Sequence, residues 1–153
     1  ASHKYQMITY RLADSLPQKV LKELKEDYKK PDLEKERRNY IEKVLNSGYG
    51  SCILQKPEVS QIVVDSWRFF HKKRYDLIAF VVMPNHAHLI IKTYENFNLS
   101  KIIHGWKSYT ANKISTSLAG WQRVCEKCFF RQDLHDGQDG ENELDHLIFY
   151  ITI

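Results

Sequence analysis

The chain has 153 residues, of which 42% are apolar and 27% are charged, a composition typical of one globular domain spanning residues 1–153. No apolar run approaches the ~20 residues that cross a bilayer, and we expect neither a membrane span nor a signal peptide. The 23 Lys and Arg residues exceed the 19 Asp and Glu residues by four, which is compatible with nucleic-acid binding but does not require it.

The three cysteines are an odd number, so they do not form a closed set of disulfides. Cys125 and Cys128 form one CxxC pair without a second ligand pair. Two small residues near a strand explain this pair more simply than a zinc or redox site. We therefore leave its role open and predict a reducing, cytoplasmic location.

The first half of the chain predicts one strand followed by three helical stretches. Alternation predicts the strand over Lys4–Leu12, and Ser15–Gln18 has the spacing of a capping box that opens a helix. Pro31 interrupts that helix, and a second stretch ends at Asn46–Gly48. A third helix opens at Pro57, and its apolar stripe is interpreted as core.

A basic run, His71–Arg74, follows the third helix. Cationic side chains at the end of a helix interact favourably with its dipole, which is one explanation. Contact with phosphate groups is the other, and the sequence does not choose between them.

Two histidines head an apolar run that predicts a buried strand. Tyr75–Met83 predicts a central strand, Pro84 and Asn85 supply a turn, and His86–Lys92 predicts the returning strand. Because alternate residues of a strand share one face, His86 and His88 point the same way. Two neutral imidazoles so placed can bind one divalent metal ion. A purely structural pair at a strand end is the alternative.

The remaining chain predicts a helix from about residue 98 to Leu118, a short strand over Val124–Arg131 and a final helix over residues 144–151. Trp106 belongs to the buried stripe of the first of these helices. Tyr109 stands about 100° round from Thr110, at the margin of that stripe, where a phenol can reach a cleft. Without the additional N-terminal and C-terminal helices, the order of elements is the ferredoxin-like split βαβ pattern, an α+β fold. That fold does not decide the function.

Two segments together resemble a known family. Met83–Ile91 reads MPNHAHLII and Trp106–Ile114 reads WKSYTANKI, and further likeness covers Thr9–Pro17 and Gly48–Gly50. These segments resemble the REP-associated tyrosine transposases, bacterial members of the single-tyrosine HUH transposase-like proteins. The resemblance implies cleavage and rejoining of single-stranded DNA at hairpin-forming repeats. It also implies Tyr109 as the nucleophile that keeps the 5′ phosphate, and His86 and His88 as ligands of Mg²⁺ or Mn²⁺.

The resemblance further implies a third metal ligand from the tyrosine helix, one turn after the nucleophile. That position holds Lys113, which cannot ligate a metal while protonated, so we predict Asn112 as the ligand and Lys113 as a phosphate contact. Tyr49 or Tyr94 is predicted to stack on unpaired bases. Contacts to the DNA backbone are predicted for five basic residues: Lys72, Lys73, Arg74, Lys107 and Lys113.

Two other functions stay open at this point. A domesticated module could bind hairpin DNA without cleaving it, which the unusual third ligand position favours. A zinc-dependent hydrolase could use the histidine pair to activate water. The sequence predicts a monomer or a homodimer, and it leaves open whether the tyrosine acts in its own subunit or in a partner.

Overall fold

The computed structural model describes residues 5–26, 33–117 and 131–135. Four antiparallel strands form one sheet in the order β2-β3-β1-β4, which is the ferredoxin-like order. The strands are β1 (Tyr5–Arg11), β2 (Tyr75–Val82), β3 (His86–Thr93) and β4 (Arg131–His135). The helices are α1 (Gln18–Glu26), α2 (Glu34–Asn46), α3 (Pro57–Arg68) and α4 (Leu99–Ser117), with a short 3₁₀ turn at Ile53–Gln55. The predicted α+β fold with additional N-terminal helical structure is confirmed.

One face of the sheet carries the main hydrophobic core. Because side chains alternate along a strand, Tyr10 of β1 and Leu89 of β3 point to this face, where α3 and α4 cover them. Trp67 of α3 is fully buried, and its ring meets those of Tyr10 and Trp106 edge-on at 5.9 and 6.4 Å. The apolar stripes of α3 and α4 are therefore core, as predicted.

The opposite face of the sheet carries His86 and His88, with Thr9 and Arg11 directly across from them on β1. Helices α1 and α2 pack on each other through a second apolar cluster, and α2 reaches the histidine face through Glu42. That cluster consists of Leu16, Val20, Leu24, Ile41 and Leu45. The two faces are thus covered by different helices, α4 on one side and α2 on the other.

Some predicted boundaries differ from the structure or lie beyond it. The last described strand is Arg131–His135, whereas the predicted strand over Val124–Arg131 lies outside the described residues except for Arg131. The predicted final helix and the Cys125–Cys128 pair lie outside the described residues. Within the described ranges, no helix is both long and apolar enough to cross a membrane.

Two glycines hold the loop after α2 in a conformation that other residues rarely adopt. Gly48 has φ +74° and open space around its α-carbon, whereas a Cβ on Gly50 (φ +95°) would lie 2.6 Å from the carbonyl oxygen of Asp14. The side chain of Asp14 also accepts a 2.8 Å hydrogen bond from the backbone of Ser51, which fixes the loop.

This loop gives a matched pair of stability predictions. Gly48→Ala introduces only the strain of a positive φ, and we expect it to lower the free energy of unfolding by about 1–2 kcal/mol. Gly50→Ala adds a backbone clash, and we expect a further loss of about 1–3 kcal/mol. Urea denaturation of both variants measures the difference. Equal losses would contradict the close approach at Gly50.

Candidate metal centre

The two histidines open strand β3 directly after the turn at Pro84 and Asn85. Both are buried, with 1% of His86 and 8% of His88 exposed. Their ring centroids lie 5.0 Å apart on the same face of the sheet, as the sequence predicted. Rings at this separation can direct one nitrogen each at a common ion.

Glu42 of α2 lies beside the pair. Its Oε1 atom is 2.9 Å from Nε2 of His88 and 3.8 Å from Nε2 of His86. One ligand atom from each of the three residues lies within 4.8 Å of the others. Partial burial would raise the pKa of Glu42, but its interactions with the two histidines outweigh it and hold the pKa well below its usual range. Glu42 therefore presents an anionic carboxylate to both rings.

Asn85 fixes the tautomer of His86. Its side-chain amide nitrogen donates to the backbone carbonyls of Leu45 at 3.1 Å and Tyr49 at 2.9 Å, so its Oδ1 atom faces the ring. That oxygen lies 2.8 Å from Nδ1 of His86 and can only accept, which places the ring proton on Nδ1. The lone pair of Nε2 is then available, and this buried atom has no hydrogen-bond partner. A buried acceptor in this state fits a site that a cation completes.

Thr9 supports His88 in a similar way. Its hydroxyl lies 3.1 Å from Nδ1 of His88, and a hydroxyl can donate or accept. When Nε2 donates to Glu42, the hydroxyl can donate to Nδ1; when Nε2 gives its lone pair to a metal, the hydroxyl can accept from Nδ1. Two imidazole nitrogens and one carboxylate form a donor set that suits a divalent cation.

The role of Asn85 can be separated from its contribution to stability. Asn85→Ala removes the acceptor for His86, and we expect a 10- to 100-fold loss of Mn²⁺ affinity. Asn85→Asp keeps that acceptor and should keep most of the affinity. Both variants lose the two donated hydrogen bonds, so the free energy of unfolding should fall by about 1–3 kcal/mol in Asn85→Ala and by more in Asn85→Asp, whose second carboxylate oxygen would face the carbonyls of Leu45 and Tyr49. Calorimetric Mn²⁺ titration and thermal unfolding measure the two effects, and equal Mn²⁺ affinity in the two variants would contradict the assignment.

The structure does not bring Tyr109 or Asn112 to the histidines. Both are exposed on α4, whose buried side packs against the other face of the sheet. Thr110, next to Tyr109, is 3.3 Å from the hydroxyl of Tyr10, which lies on that same core face. Glu42, and not Asn112, lies beside the histidine pair within this chain, and the predicted role of Asn112 as third ligand stays a prediction. The role of Tyr109 stays a prediction.

The predicted DNA-binding residues do not surround the centre either. Lys72, Lys73 and Arg74 precede Tyr75, which pairs with Thr93 at the far end of β3 from His86. β3 is eight residues long, so its two ends lie about 23 Å apart. Lys107 and Lys113 lie on α4, on the side of the sheet away from the histidines.

Sequence reasoning missed Glu42 because it lies on a mostly charged helix and 46 positions before His88. The neighbouring apolar residue Ile41 is the sequence signal that this turn of α2 faces inward, and it belongs to the buried cluster of α1 and α2.

A comparison with protein families matches the description "Transposase IS200 like" over residues 27–152, a range that contains Glu42, His86 and His88. The chain belongs to the family of IS200-like transposases. No curated protein matches this transposase.

Two solved structures are similar to this transposase. One is a REP-associated tyrosine transposase described as bound to a REP hairpin, with 14% identity and a TM-score of 0.49; the alignment covers 99% of the present chain and 66% of that one. The other is a putative transposase from Deinococcus radiodurans R1, with 10% identity, a TM-score of 0.45 and coverage of 98% and 91%. The present chain thus spans less than two thirds of the length of the first.

Proposed function

We propose that this IS200-like transposase nicks and rejoins single-stranded DNA at hairpin-forming repeats through a 5′-phosphotyrosine intermediate. The observation that carries the proposal is the Glu42–His86–His88 cluster, in which two ring nitrogens and a carboxylate oxygen lie within 4.8 Å of one another. The hairpin specificity rests on the motifs around His86 and Tyr109 that resemble the REP-associated enzymes.

Glu42, His86 and His88 would hold Mg²⁺ or Mn²⁺. When bound, such a cation polarises the scissile phosphate and offsets its negative charge. The protein prepares the site in advance, since Asn85 and Thr9 hold the two rings and α2 holds the carboxylate. Glu42 retains 44% of its side-chain exposure, so a phosphate can approach the buried histidines from this side.

The chemical step is a transesterification. A tyrosine oxygen, having given its proton to a base, bonds to the phosphorus, and the bond from phosphorus to the 3′ oxygen breaks. The departing 3′ oxygen takes up a proton and becomes a hydroxyl, while the 5′ phosphate stays on the tyrosine as an ester. Attack by a 3′ hydroxyl on that ester reverses the step and joins strands without ATP.

Tyr109 is the predicted nucleophile, but within one chain it lies far from the histidines. Because α4 covers the face opposite the histidines, we propose that Tyr109 acts at the metal centre of a second copy, in a homodimer. Its ring is 45% exposed and accessible to a partner. Two other tyrosines are poor nucleophiles: burial raises the pKa of Tyr75 to about 12 and that of Tyr10 further still.

A labelled hairpin oligonucleotide with a single-stranded flank tests the proposal. With Mg²⁺ or Mn²⁺, we expect a covalent protein–DNA adduct that resists denaturant and a free 3′ hydroxyl on the other fragment. Chelation or His88→Ala should abolish both. Cleavage without an adduct would indicate hydrolysis by water and overturn the proposal.

The second candidate is a module that binds hairpin DNA and does not cut it. The separation of Tyr109 from the histidines within one copy favours it. In the same assay it predicts a mobility shift with intact DNA at every metal concentration.

A further inference from the structure

A cluster of exposed aromatic and basic side chains lies at the end of the sheet opposite the metal centre. We call it the aromatic–basic platform. Phe69 is 66% exposed and Phe97 is 39% exposed, which is unusual for such large apolar side chains. The platform consists of Phe69, Phe70, Lys73, Arg74 and Phe97.

Two loops build the platform and are tied together. Phe69–Arg74 connects α3 to β2, and Phe97 lies between β3 and α4. The backbone nitrogen of Tyr94 donates to the carbonyl of Arg74 at 3.1 Å, and that of Phe97 donates to Tyr94 at 3.0 Å. Phe70 packs partly into the main core and meets Phe69 edge-on at 4.6 Å, which anchors the platform to the fold.

The basic groups lie over the rings. The guanidinium of Arg74 is 3.5 Å from the ring centre of Phe70 and 5.8 Å from that of Phe97, and the ammonium of Lys73 is 5.5 Å from that of Phe69. Lys72 differs: its ammonium is 2.9 Å from Asp76, whose carboxylate also accepts a hydrogen bond from Tyr94 at 3.0 Å. The platform therefore presents flat apolar surfaces beside two cations, while Lys72 is engaged in the support of the turn.

We propose that the platform binds unpaired nucleotides of DNA, with bases stacked on Phe69 and Phe97 and phosphates held by Lys73 and Arg74. Aromatic faces beside basic side chains bind single strands in this way, because every base has a π-face and every linkage a negative charge. The choice of DNA rests on the proposed function.

The length of strand β3 indicates how long a hairpin stem must be to reach both the platform and the metal centre. The metal centre lies at the start of β3 and the platform lies beyond its other end, and β3 itself is about 23 Å long, which is about seven base pairs of stem at 3.4 Å each. A hairpin stem of at least that length is expected to be needed to bridge the platform and the metal centre.

Fluorescence anisotropy with EDTA present tests the platform without cleavage. Two hairpins share one stem, and one has its loop bases replaced by a flexible glycol linker. We expect the wild type to bind the natural loop more tightly, and Phe69→Ser or Phe97→Ser to lose about 5- to 150-fold in affinity for it and to bind both hairpins alike. Ile78→Ser is the matched control, because Ile78 is an exposed apolar residue of β2 outside the platform, and this variant should bind as wild type.

Lys73→Gln should lower the slope of log affinity against log salt by about one. Unchanged hairpin affinity in both Phe variants would overturn the proposal. So would a change of oligomeric state, by light scattering, with unchanged DNA affinity, since the platform would then be a contact between copies. If the wild type binds DNA through the platform but never forms an adduct, the platform stands and the nicking function fails.

Discussion

Glu42→Gln is expected to weaken Mn²⁺ binding by more than about 100-fold, whereas Asn112→Ala should leave it unchanged. Removal of a supporting residue around a metal ligand costs 10- to 100-fold, and removal of a ligand should cost more. Glu42 is the carboxylate within 2.9 Å of His88, and Asn112 lies on the helix that covers the other face of the sheet. Isothermal titration calorimetry, or the loss of free Mn²⁺ signal in electron paramagnetic resonance, measures both.

Glu36→Gln is the matched control for this prediction, because Glu36 is an exposed glutamate of the same helix. It should bind Mn²⁺ as the wild type does. A Glu42→Gln protein with wild-type affinity, or an Asn112→Ala protein without affinity, would contradict the assignment of the third ligand.

A mixture of His88→Ala and Tyr109→Phe chains is expected to regain the covalent adduct that neither variant forms alone. The Tyr109→Phe chain keeps the metal ligands and the His88→Ala chain keeps the tyrosine, so a shared site between two copies is complete. The adduct should then reside on the His88→Ala chain, which a size tag on one variant reveals in a denaturing gel.

Adduct formation by the Tyr109→Phe variant alone tests whether Tyr109 is the nucleophile. If that variant still forms the adduct, Tyr109 is not the nucleophile, and mass spectrometry of the linked peptide identifies which of the other eight tyrosines is. Tyr28 and Tyr150 lie outside the described residues. Tyr49 is 48% exposed, and its backbone carbonyl accepts a hydrogen bond from Asn85, next to His86. The metal centre does not depend on this result.

Local sequence patterns predicted the parts of the site that lie within one element. The period of two along β3 places His86 and His88 on one face whatever surrounds them, and the order of strands and helices predicted the ferredoxin-like sheet. The helical period likewise predicted the buried stripe of α4. Such patterns follow from the backbone geometry of a single strand or helix, which does not depend on the rest of the fold.

Relations between elements were not predictable in this way. The period of α4 gives the angle between Tyr109 and Asn112, but it does not say which face of the sheet the helix covers. No sequence spacing links Glu42 to His88, because the position of α2 beside the histidines depends on how α2 packs against α1. The basic run at residues 72–74 was explained either by the helix dipole or by phosphate contact. Neither explanation predicted that Lys72 adopts φ +65° and forms an ion pair with Asp76.

Anomalous diffraction from crystals soaked in Mn²⁺ tests the central claim most directly. We predict one strong peak at coordination distance, about 2.0–2.3 Å, from Nε2 of His86, Nε2 of His88 and a carboxylate oxygen of Glu42. No peak there at a Mn²⁺ concentration that supports cleavage in solution, or a peak held by other residues, would contradict the account.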